Sequence, residues 1–193
     1  MTGNDMVDLA AAAAESNWKR KGFLEKLFTQ QEQQYIHATA SPETMVWRLW
    51  SMKESAYKLY NRQYHIRSFT PTQFACRLMD ETKGEVTIGG NIYQTTSDCT
   101  QAYVYTVACL AGKEDRLLAS ECFRLAEQDQ QGQRSFIYTK MISCYAGHTA
   151  VQKESISIIK NECGIPFLHC AITNDLIPVS ITHHGSYAAF TIN

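Results

Sequence analysis

The sequence predicts an α+β protein built from two similar halves. Helical spacing and helix-capping signals dominate residues 1–60, whereas residues 69–110 and 155–192 consist mainly of β-branched and aromatic runs separated by polar turns. The region 155–192 repeats, about 80 residues further on, a pattern found in 69–110: a strand, a turn with glycine, another strand and a final strand that begins with tyrosine. This period is longer than those of solenoid repeats. Two halves related by a pseudo-twofold axis and two unrelated β-meanders both account for this repetition.

Length and composition are typical of a soluble globular chain. It has 193 residues, 45% of them hydrophobic and 19% charged, so it can bury one core or two small cores. We expect one compact unit in which residues 1–112 form the first half and residues 113–193 the second. No run approaches the roughly 18 apolar residues of a membrane-spanning helix. The net charge of −1 argues against a general attraction for nucleic acid or membranes.

The cysteines and the first residues indicate a compartment. The seven cysteines are odd in number and scattered, without a C-x-x-C pair, which favours reduced thiols over disulfides or a zinc site. Asp5 and Asp8 stand where a signal peptide carries positive charge. We therefore expect a cytoplasmic protein.

Local signals place the first elements. Residues 3–7 read as a short strand, and Asp8 is placed to cap an alanine-rich helix that we expect to continue through residues 18–21 and to end at Gly22. Thr29 and Glu32 have the spacing of a capping box and predict a short second helix.

A third helix is predicted from Ser41, as N-cap, to about Tyr60, with Pro42 at its first position. Its apolar residues fall on one stripe that can seat it on a core: Met45, Leu49, Met52, Ala56 and Leu59.

The other side of this helix carries Trp47, Trp50, Glu54 and Lys58. An exposed salt bridge between Glu54 and Lys58 is the ordinary explanation of such spacing. Two tryptophans beside the charged pair are unusual on a solvated face, so we expect this side to line a cleft.

The rest of the chain is predicted to alternate strands with one further helix. We expect the helix over residues 115–127, a polar break over 128–133, and a terminal hairpin that turns at residues 184–186. The predicted strands are residues 73–79, 85–93, 102–110, 155–159, 167–172, 179–182 and 187–192.

Two carboxylates and one histidine are candidates for chemistry. Asp5 lies among apolar strand residues, where an unpaired carboxylate is costly, and Glu54 lies on the cleft side of its helix. If they converge, they need a cation, and Mg²⁺ takes one or two carboxylates together with water and phosphate oxygens. His183, at a strand end, can donate to phosphate. An Asx turn at Asp5 and an exposed turn histidine at His183 are the alternatives.

Three separated motifs resemble those of the 4′-phosphopantetheinyl transferase superfamily, in the same order. Residues 3–9 resemble the G-x-D opening of its holo-acyl-carrier-protein synthase type. Residues 28–32 and 50–58 match F-T followed by Glu and then W-x-x-K-E-x-x-x-K. Residues 179–183, with 187–189, resemble its C-terminal V-S-[IL]-[ST]-H and Y-A-x-A segment.

The resemblance implies transfer of the phosphopantetheine arm of coenzyme A to a serine of an acyl or peptidyl carrier protein, with release of 3′,5′-ADP. It implies that Asp5 and Glu54 hold Mg²⁺, that Glu54 acts as the base and that Lys58 assists the leaving group. It also implies that Lys53, Thr182 and His183 contact coenzyme A. A basic cluster implied to dock the acidic carrier comprises Lys19, Arg20 and Lys21, with Lys26 nearby.

Departures from the family pattern keep an alternative open. Val7 stands where the two-lobed class of the family has a third acidic ligand, and Ile165 stands where a G-K-P turn has its lysine. The chain is also longer than the short, trimeric class, which favours a monomeric pseudodimer with Asp5, Glu54 and Lys58 in the first half and His183 in the second. The alternative is a non-catalytic protein of this fold that binds coenzyme A or a carrier. The carrier and its pathway are left open.

Overall fold

The computed structural model describes residues 1–112, 117–126 and 129–193, which form two antiparallel sheets and five α-helices among these residues. In the first half, strand β1 (Thr2–Asp8) leads into four helices and then into a meander of four strands. The helices are α1 (Leu9–Glu15), α2 (Phe23–Leu27), α3 (Gln30–Ala38) and α4 (Pro42–Tyr64). The strands are β2 (Ala75–Leu78), β3 (Lys83–Ile88), β4 (Asn91–Cys99) and β5 (Tyr103–Leu110).

The second half has one long helix between its first strand and its meander. Strand β6 (Ala119–Arg124) precedes α5 (Gln130–Thr149), and single 3₁₀ turns at Pro71–Gln73 and Lys153–Ser155 precede the meanders of the two halves. The remaining strands are β7 (Ile156–Lys160), β8 (Pro166–Cys170), β9 (Asp175–His184) and β10 (Tyr187–Ile192).

Both sheets have the same topology, which confirms the predicted α+β class with two similar halves. Their strand orders are β1-β5-β4-β3-β2 and β6-β10-β9-β8-β7, so in each half the first strand pairs with the last strand of the meander. The repeated sequence pattern corresponds to β2, β3 and β5 in one half and β7, β8 and β10 in the other. The division of the chain at residue 112 stays a prediction.

Three local predictions are confirmed. Asp8 caps α1 by accepting hydrogen bonds from the amides of Ala10 and Ala11. Thr29 and Glu32 form the capping box that starts α3. Ser41 stands at the N-cap position of α4, with Pro42 at the first helical position, although its side chain makes no capping hydrogen bond.

Other predicted elements are wrong. Helix α1 ends at Glu15 instead of continuing through residues 18–21. Residues 85–93, predicted as one strand, contain the end of β3 and the start of β4, which are joined by Gly89 and Gly90, both with positive φ. The predicted helix over residues 115–127 is replaced at its centre by β6, and its ends at 115–116 and 127 lie outside the described residues. The predicted break over 128–133 contains the start of α5, which Asp129 caps by accepting from the Gly132 amide.

The helix α4 is the centre of the larger core. Its predicted stripe packs under the first sheet, with Leu49, Met52, Ala56 and Leu59 at most 1% exposed. No helix among the described residues is both long and apolar enough to span a bilayer.

Candidate functional site

The cleft predicted beside α4 is present. It has a volume of about 440 Å³ and lies between α4, β1 and the end of β9. Asp5 of β1 and Glu54 of α4 face it together with Trp47 and Trp50. The cleft side of α4 is therefore distinct from its core stripe, as expected from the spacing of the tryptophans.

Asp5 is nearly removed from water and is held by two side chains. Only 9% of the residue is exposed. Its carboxylate lies 3.5 Å from the Lys58 ammonium and accepts a hydrogen bond of 3.4 Å from the Thr182 hydroxyl. Burial raises the pKa of Asp5 above its usual range, and the positive charge of Lys58 opposes that rise.

Glu54 shares the electrostatic environment of Asp5. Burial, and secondly the negative charge of Asp5, raise the pKa of Glu54 to about 7, against the opposing effect of Lys58. A carboxyl group with this pKa can take up and release a proton near neutral pH.

The ammonium group of Lys58 contacts β1. It donates a 2.6 Å hydrogen bond to the carbonyl of Asn4, and its ion pair is with Asp5 instead of Glu54. The i,i+4 spacing of Glu54 and Lys58 therefore does not mark a simple surface salt bridge.

Strand β1 meets β9 of the other half through side chains. The amides of Asn4, Met6 and Asp8 donate to the side chains of Ser180, Thr182 and His184, and each pair is separated by 176 residues. The alternation of a strand explains the pattern, because every second side chain of β9 points to β1.

Sequence reasoning missed Ser180 and His184 in this pattern. Polar residues at every second position of residues 180–184 were the available signal, and it points to one face of the strand. His184 also bonds Glu15 at 3.3 Å through its other ring nitrogen, which ties the end of β9 to α1.

The two coenzyme A residues predicted on β9 point to opposite faces. Thr182 is buried, accepts from the Met6 amide and donates to Asp5. The Thr182 hydroxyl therefore helps to orient the Asp5 carboxylate, and its predicted contact with a coenzyme A phosphate stays a prediction. His183 is exposed and lines the cleft together with Asp5 and Glu54. The structure thus brings Asp5, Glu54 and His183 together.

The position of Lys53 contradicts the prediction that this residue contacts coenzyme A. Its side chain is completely buried and pairs with the equally buried Glu32 at 2.8 Å. It also donates to the carbonyls of Pro71 and Phe74. All three N–H donors of the ammonium group are used inside the core, which leaves none for a coenzyme A phosphate.

The basic cluster Lys19, Arg20 and Lys21 is exposed, but it lies in the turn between α1 and α2 and not on a continued helix. The neighbouring residues on each side of this turn, Ser16 and Phe23, line the cleft. The cluster is therefore at the rim of the cleft.

The oxygen donors of the cleft fit Mg²⁺. Asp5 and Glu54 both have raised pKa values, and a divalent cation between them would offset their burial and mutual repulsion. Among the residues that the structure describes, no group of three His, Cys, Asp or Glu side chains is arranged to hold a metal. Water and substrate oxygens would complete the shell, since buried Val7 takes the place of a third acid.

No curated protein matches the chain. The solved structures that are similar include the holo-acyl-carrier-protein synthase of Thermotoga maritima, with 10% sequence identity and a TM-score of 0.44 over 83% of this chain and 77% of that one. This similarity is too low to support any residue assignment.

The model of the 4′-phosphopantetheinyl transferase superfamily matches residues 1–109, which include Asp5, Glu54 and Lys58. These 109 residues are more than half of the 193 in the chain. The chain therefore belongs to the 4′-phosphopantetheinyl transferase superfamily.

Proposed function

We propose that this protein transfers 4′-phosphopantetheine from coenzyme A to a serine of an acyl or peptidyl carrier protein, in a Mg²⁺-dependent reaction that releases 3′,5′-ADP. The observation that supports it most is the convergence of Asp5 and Glu54, from two different elements, on one cleft with His183 at its edge. The family to which the chain belongs carries out this class of transfer.

Asp5 and Glu54 would hold the metal ion. When bound, Mg²⁺ would neutralise charge on the pyrophosphate and polarise the phosphorus that is attacked. Thr182 and Lys58 hold the Asp5 carboxylate in place from two sides.

The transfer itself can be assigned to side chains of the cleft. The serine oxygen of the carrier forms a bond to the phosphorus that bears the pantetheine arm, and the bond from this phosphorus to the bridging oxygen of 3′,5′-ADP breaks. Glu54, which faces the cleft, accepts the serine proton directly or through a water molecule. The Lys58 ammonium, at the cleft edge, neutralises or protonates the leaving phosphate.

The carrier would approach over the turn between α1 and α2. Lys19, Arg20 and Lys21 are exposed there, beside the cleft, and an acidic recognition surface would be attracted to them. Exchanging all three for glutamine should raise the KM for the carrier and leave the KM for coenzyme A unchanged.

The test is an incubation of the protein with an apo carrier protein, coenzyme A and Mg²⁺, followed by mass spectrometry. We expect the carrier to gain one phosphopantetheine group and equimolar 3′,5′-ADP to appear. Asp5→Ala and Glu54→Gln should abolish transfer without unfolding the protein. Full activity in either variant would contradict the metal assignment.

The absence of a lysine at Ile165 favours a second candidate, a non-catalytic protein that binds coenzyme A or a carrier. The same incubation separates the two functions. Binding of coenzyme A without any 3′,5′-ADP, with several unrelated carriers, would favour the binding protein.

We also propose the cytoplasm as the compartment of this protein, because Cys76 and Cys170 are buried thiols.

A further inference from the structure

The proposed transfer does not explain the glycine of the G-x-D opening. Gly3 is buried in β1, two residues before Asp5. It is not among the glycines with positive φ, so its backbone conformation does not require glycine. A Cβ atom on this residue would lie far inside van der Waals contact with the carbonyl oxygen of Ser55 in α4, and 3.3 Å from the Cγ atom of Leu59. The space beside Gly3 is therefore filled by the backbone of the helix.

Strand β1 and helix α4 lie against each other in antiparallel directions and in a matching register. Gly3 contacts α4 at Ser55. Asp5 contacts it one turn earlier, at Ser51, whose hydroxyl donates a hydrogen bond of 3.2 Å to the Asp5 carbonyl. Two residues of a strand rise about 6.6 Å and four residues of a helix about 6 Å, so the two elements stay in step over this distance. The contact at Gly3 therefore also fixes the height of Asp5 above the helix.

The second carboxylate of the cleft belongs to the same part of α4. Glu54 directly precedes Ser55, and it faces the cleft together with Asp5. One carboxylate is thus carried by the strand and the other by the helix. The helix is also tied to the neighbouring strand β5, because the Ser55 hydroxyl donates a hydrogen bond of 3.0 Å to the carbonyl of Thr106. The spacing between β1 and α4 consequently sets the distance between the two carboxylates.

We propose that Gly3 is a positioning residue: the absence of a Cβ atom lets β1 lie directly on the backbone of α4, and this contact sets the separation of Asp5 and Glu54 for one Mg²⁺ ion. The inference rests on the proposed function, which assigns the metal to these two carboxylates. Mg²⁺ requires nearly octahedral geometry with oxygens at about 2.0–2.1 Å, whereas Ca²⁺ accepts irregular geometry at about 2.3–2.6 Å. A wider gap between the carboxylates therefore weakens Mg²⁺ binding more than Ca²⁺ binding.

The test is competition of Mg²⁺ and of Ca²⁺ with bound Mn²⁺, followed by electron paramagnetic resonance, in the wild type and in Gly3→Ala. The new methyl group has to push β1 away from α4, because the atom that it meets belongs to the backbone. We expect Mg²⁺ binding to weaken about tenfold or more, as is typical when a residue that orients metal ligands is changed, and Ca²⁺ binding to weaken less. A loss of stability alone would not change the ratio of the two affinities.

Gly84→Ala is the matched control. Gly84 is buried in β3 against the same helix, and a Cβ atom there would clash with the end of the Met52 side chain and lie 3.0 Å from the carbonyl oxygen of Arg77. This variant should have a lower melting temperature and an unchanged ratio of Mg²⁺ to Ca²⁺ affinity, because neither contact involves β1.

A second pair of variants tests the inference without adding an atom to the core. Ser51→Ala removes the hydrogen bond to the carbonyl of Asp5, and Ser55→Ala removes a similar bond to the carbonyl of Thr106 in β5. Both serines are completely buried. Only Ser51→Ala should lower the ratio of the affinities. The inference is wrong if Ser51→Ala or a folded Gly3→Ala keeps the wild-type ratio, or if either control lowers it equally.

The inference and the proposed function fail in different ways. A wild-type protein that binds none of these ions would contradict the proposed metal site and this inference together. Wild-type binding and transfer, with the same ratio of affinities in Gly3→Ala, would contradict this inference alone.

Discussion

At the scale of single residues, Glu54 shows how strongly its surroundings disfavour a second negative charge. Its pKa of about 7, against an ordinary value of 4.5, means that the folded protein holds this proton more tightly than the unfolded chain does. In the absence of a cation, ionisation of Glu54 therefore lowers the stability of the fold.

The first prediction concerns pH and stability without metal. The contribution of Glu54 is fully present below about pH 4.5 and is lost as pH rises to about 7, and the loss is at most on the order of 3 kcal/mol. Urea unfolding in the presence of a chelator should show this as a difference between the wild type and Glu54→Gln.

The same measurement with Glu25→Gln, which changes an exposed carboxylate of α2, is the control and should follow the wild type. Saturating Mg²⁺ should restore part of the lost stability at and above pH 7, since the bound cation favours the ionised carboxylates. An identical pH dependence in Glu54→Gln and in the wild type would contradict the effect of burial on Glu54.

The second prediction concerns the buried pair of Lys53 and Glu32. Lys53→Met should lower the free energy of unfolding by about 3–5 kcal/mol, because it leaves the Glu32 carboxylate buried without its cation. Glu32→Gln/Lys53→Met should regain part of this loss. Denaturant titration measures both, and a loss under about 1 kcal/mol in Lys53→Met would contradict the pairing.

At the scale of elements, the site depends on the alternation of β9. Ser180, Thr182 and His184 bond β1, while Ile181 and His183 line a cavity between the start of α5 and the turn from β7 to β8. One strand therefore separates the support of Asp5 from the binding surface.

The third prediction tests this alternation. Thr182→Val removes the acceptor of the Met6 amide and the donor to Asp5, so we expect a loss of about 1–3 kcal/mol of stability and a lower kcat in the transfer assay. Thr182→Ser, which keeps the hydroxyl, should restore most of both. A Thr182→Val protein with unchanged kcat would show that Asp5 does not need this hydrogen bond.

Elements whose signals are local could be predicted from the sequence. The capping box at Thr29 and the two faces of α4 depend on contacts within a few residues, and both are found. The strand β6 could not be predicted in this way, because residues 118, 122 and 125 have helical spacing, whereas pairing with β10 imposes the extended form. The start of α5 is polar and resembles a loop, although Asp129 is a capping residue.

The residues of the candidate site also differ in how far the sequence predicts them. Motif resemblance identified Asp5, Glu54, Lys58 and His183, which the structure brings to one cleft or its edge. The spacing of Lys53, four residues after Leu49 and three before Ala56, already places it on the core stripe of α4, which the motif resemblance overrode. The tertiary contact with Glu32 shows how its charge is paired there.

At the scale of the whole molecule, the two halves are alike in topology and different in chemistry. The two halves can be aligned on the tyrosines that begin β5 and β10. Asp5 pairs with the fourth residue of β5, and Glu121 of β6 pairs with the fourth residue of β10, so Glu121 is the counterpart of Asp5. Next to Glu121 the helix α5 provides Cys144, whose pKa burial and the contact with Glu121 raise to about 11. A neutral thiol is a poor ligand for Mg²⁺, so the described residues of the second half do not form an equivalent of the proposed metal site.

The fourth prediction is therefore one Mg²⁺ per chain. Titration with Mn²⁺ in place of Mg²⁺, followed by electron paramagnetic resonance, should give one bound ion per chain. Asp5→Ala should abolish tight binding, and the matched Glu121→Ala should leave it intact. Two equivalent sites would contradict the inequality of the halves.

The fifth prediction concerns assembly. The cleft already combines Asp5 and Glu54 of the first half with His183 and His184 of the second, so a further copy of the chain is not needed to complete it. We predict a monomer, by light scattering coupled to size-exclusion chromatography. A trimer with sites shared between chains would overturn this prediction.

The side-chain contact of β1 with β9 has a consequence for synthesis on the ribosome. The amides of Asn4, Met6 and Asp8 leave the exit tunnel before their partners, which are made 176 residues later. Until then these donors, buried in the finished protein, must stay exposed to water or bind elsewhere. The nascent chain consequently carries Asp5 long before Thr182 can hold its carboxylate in place, and the contact with β9 is complete only when residue 184 has emerged.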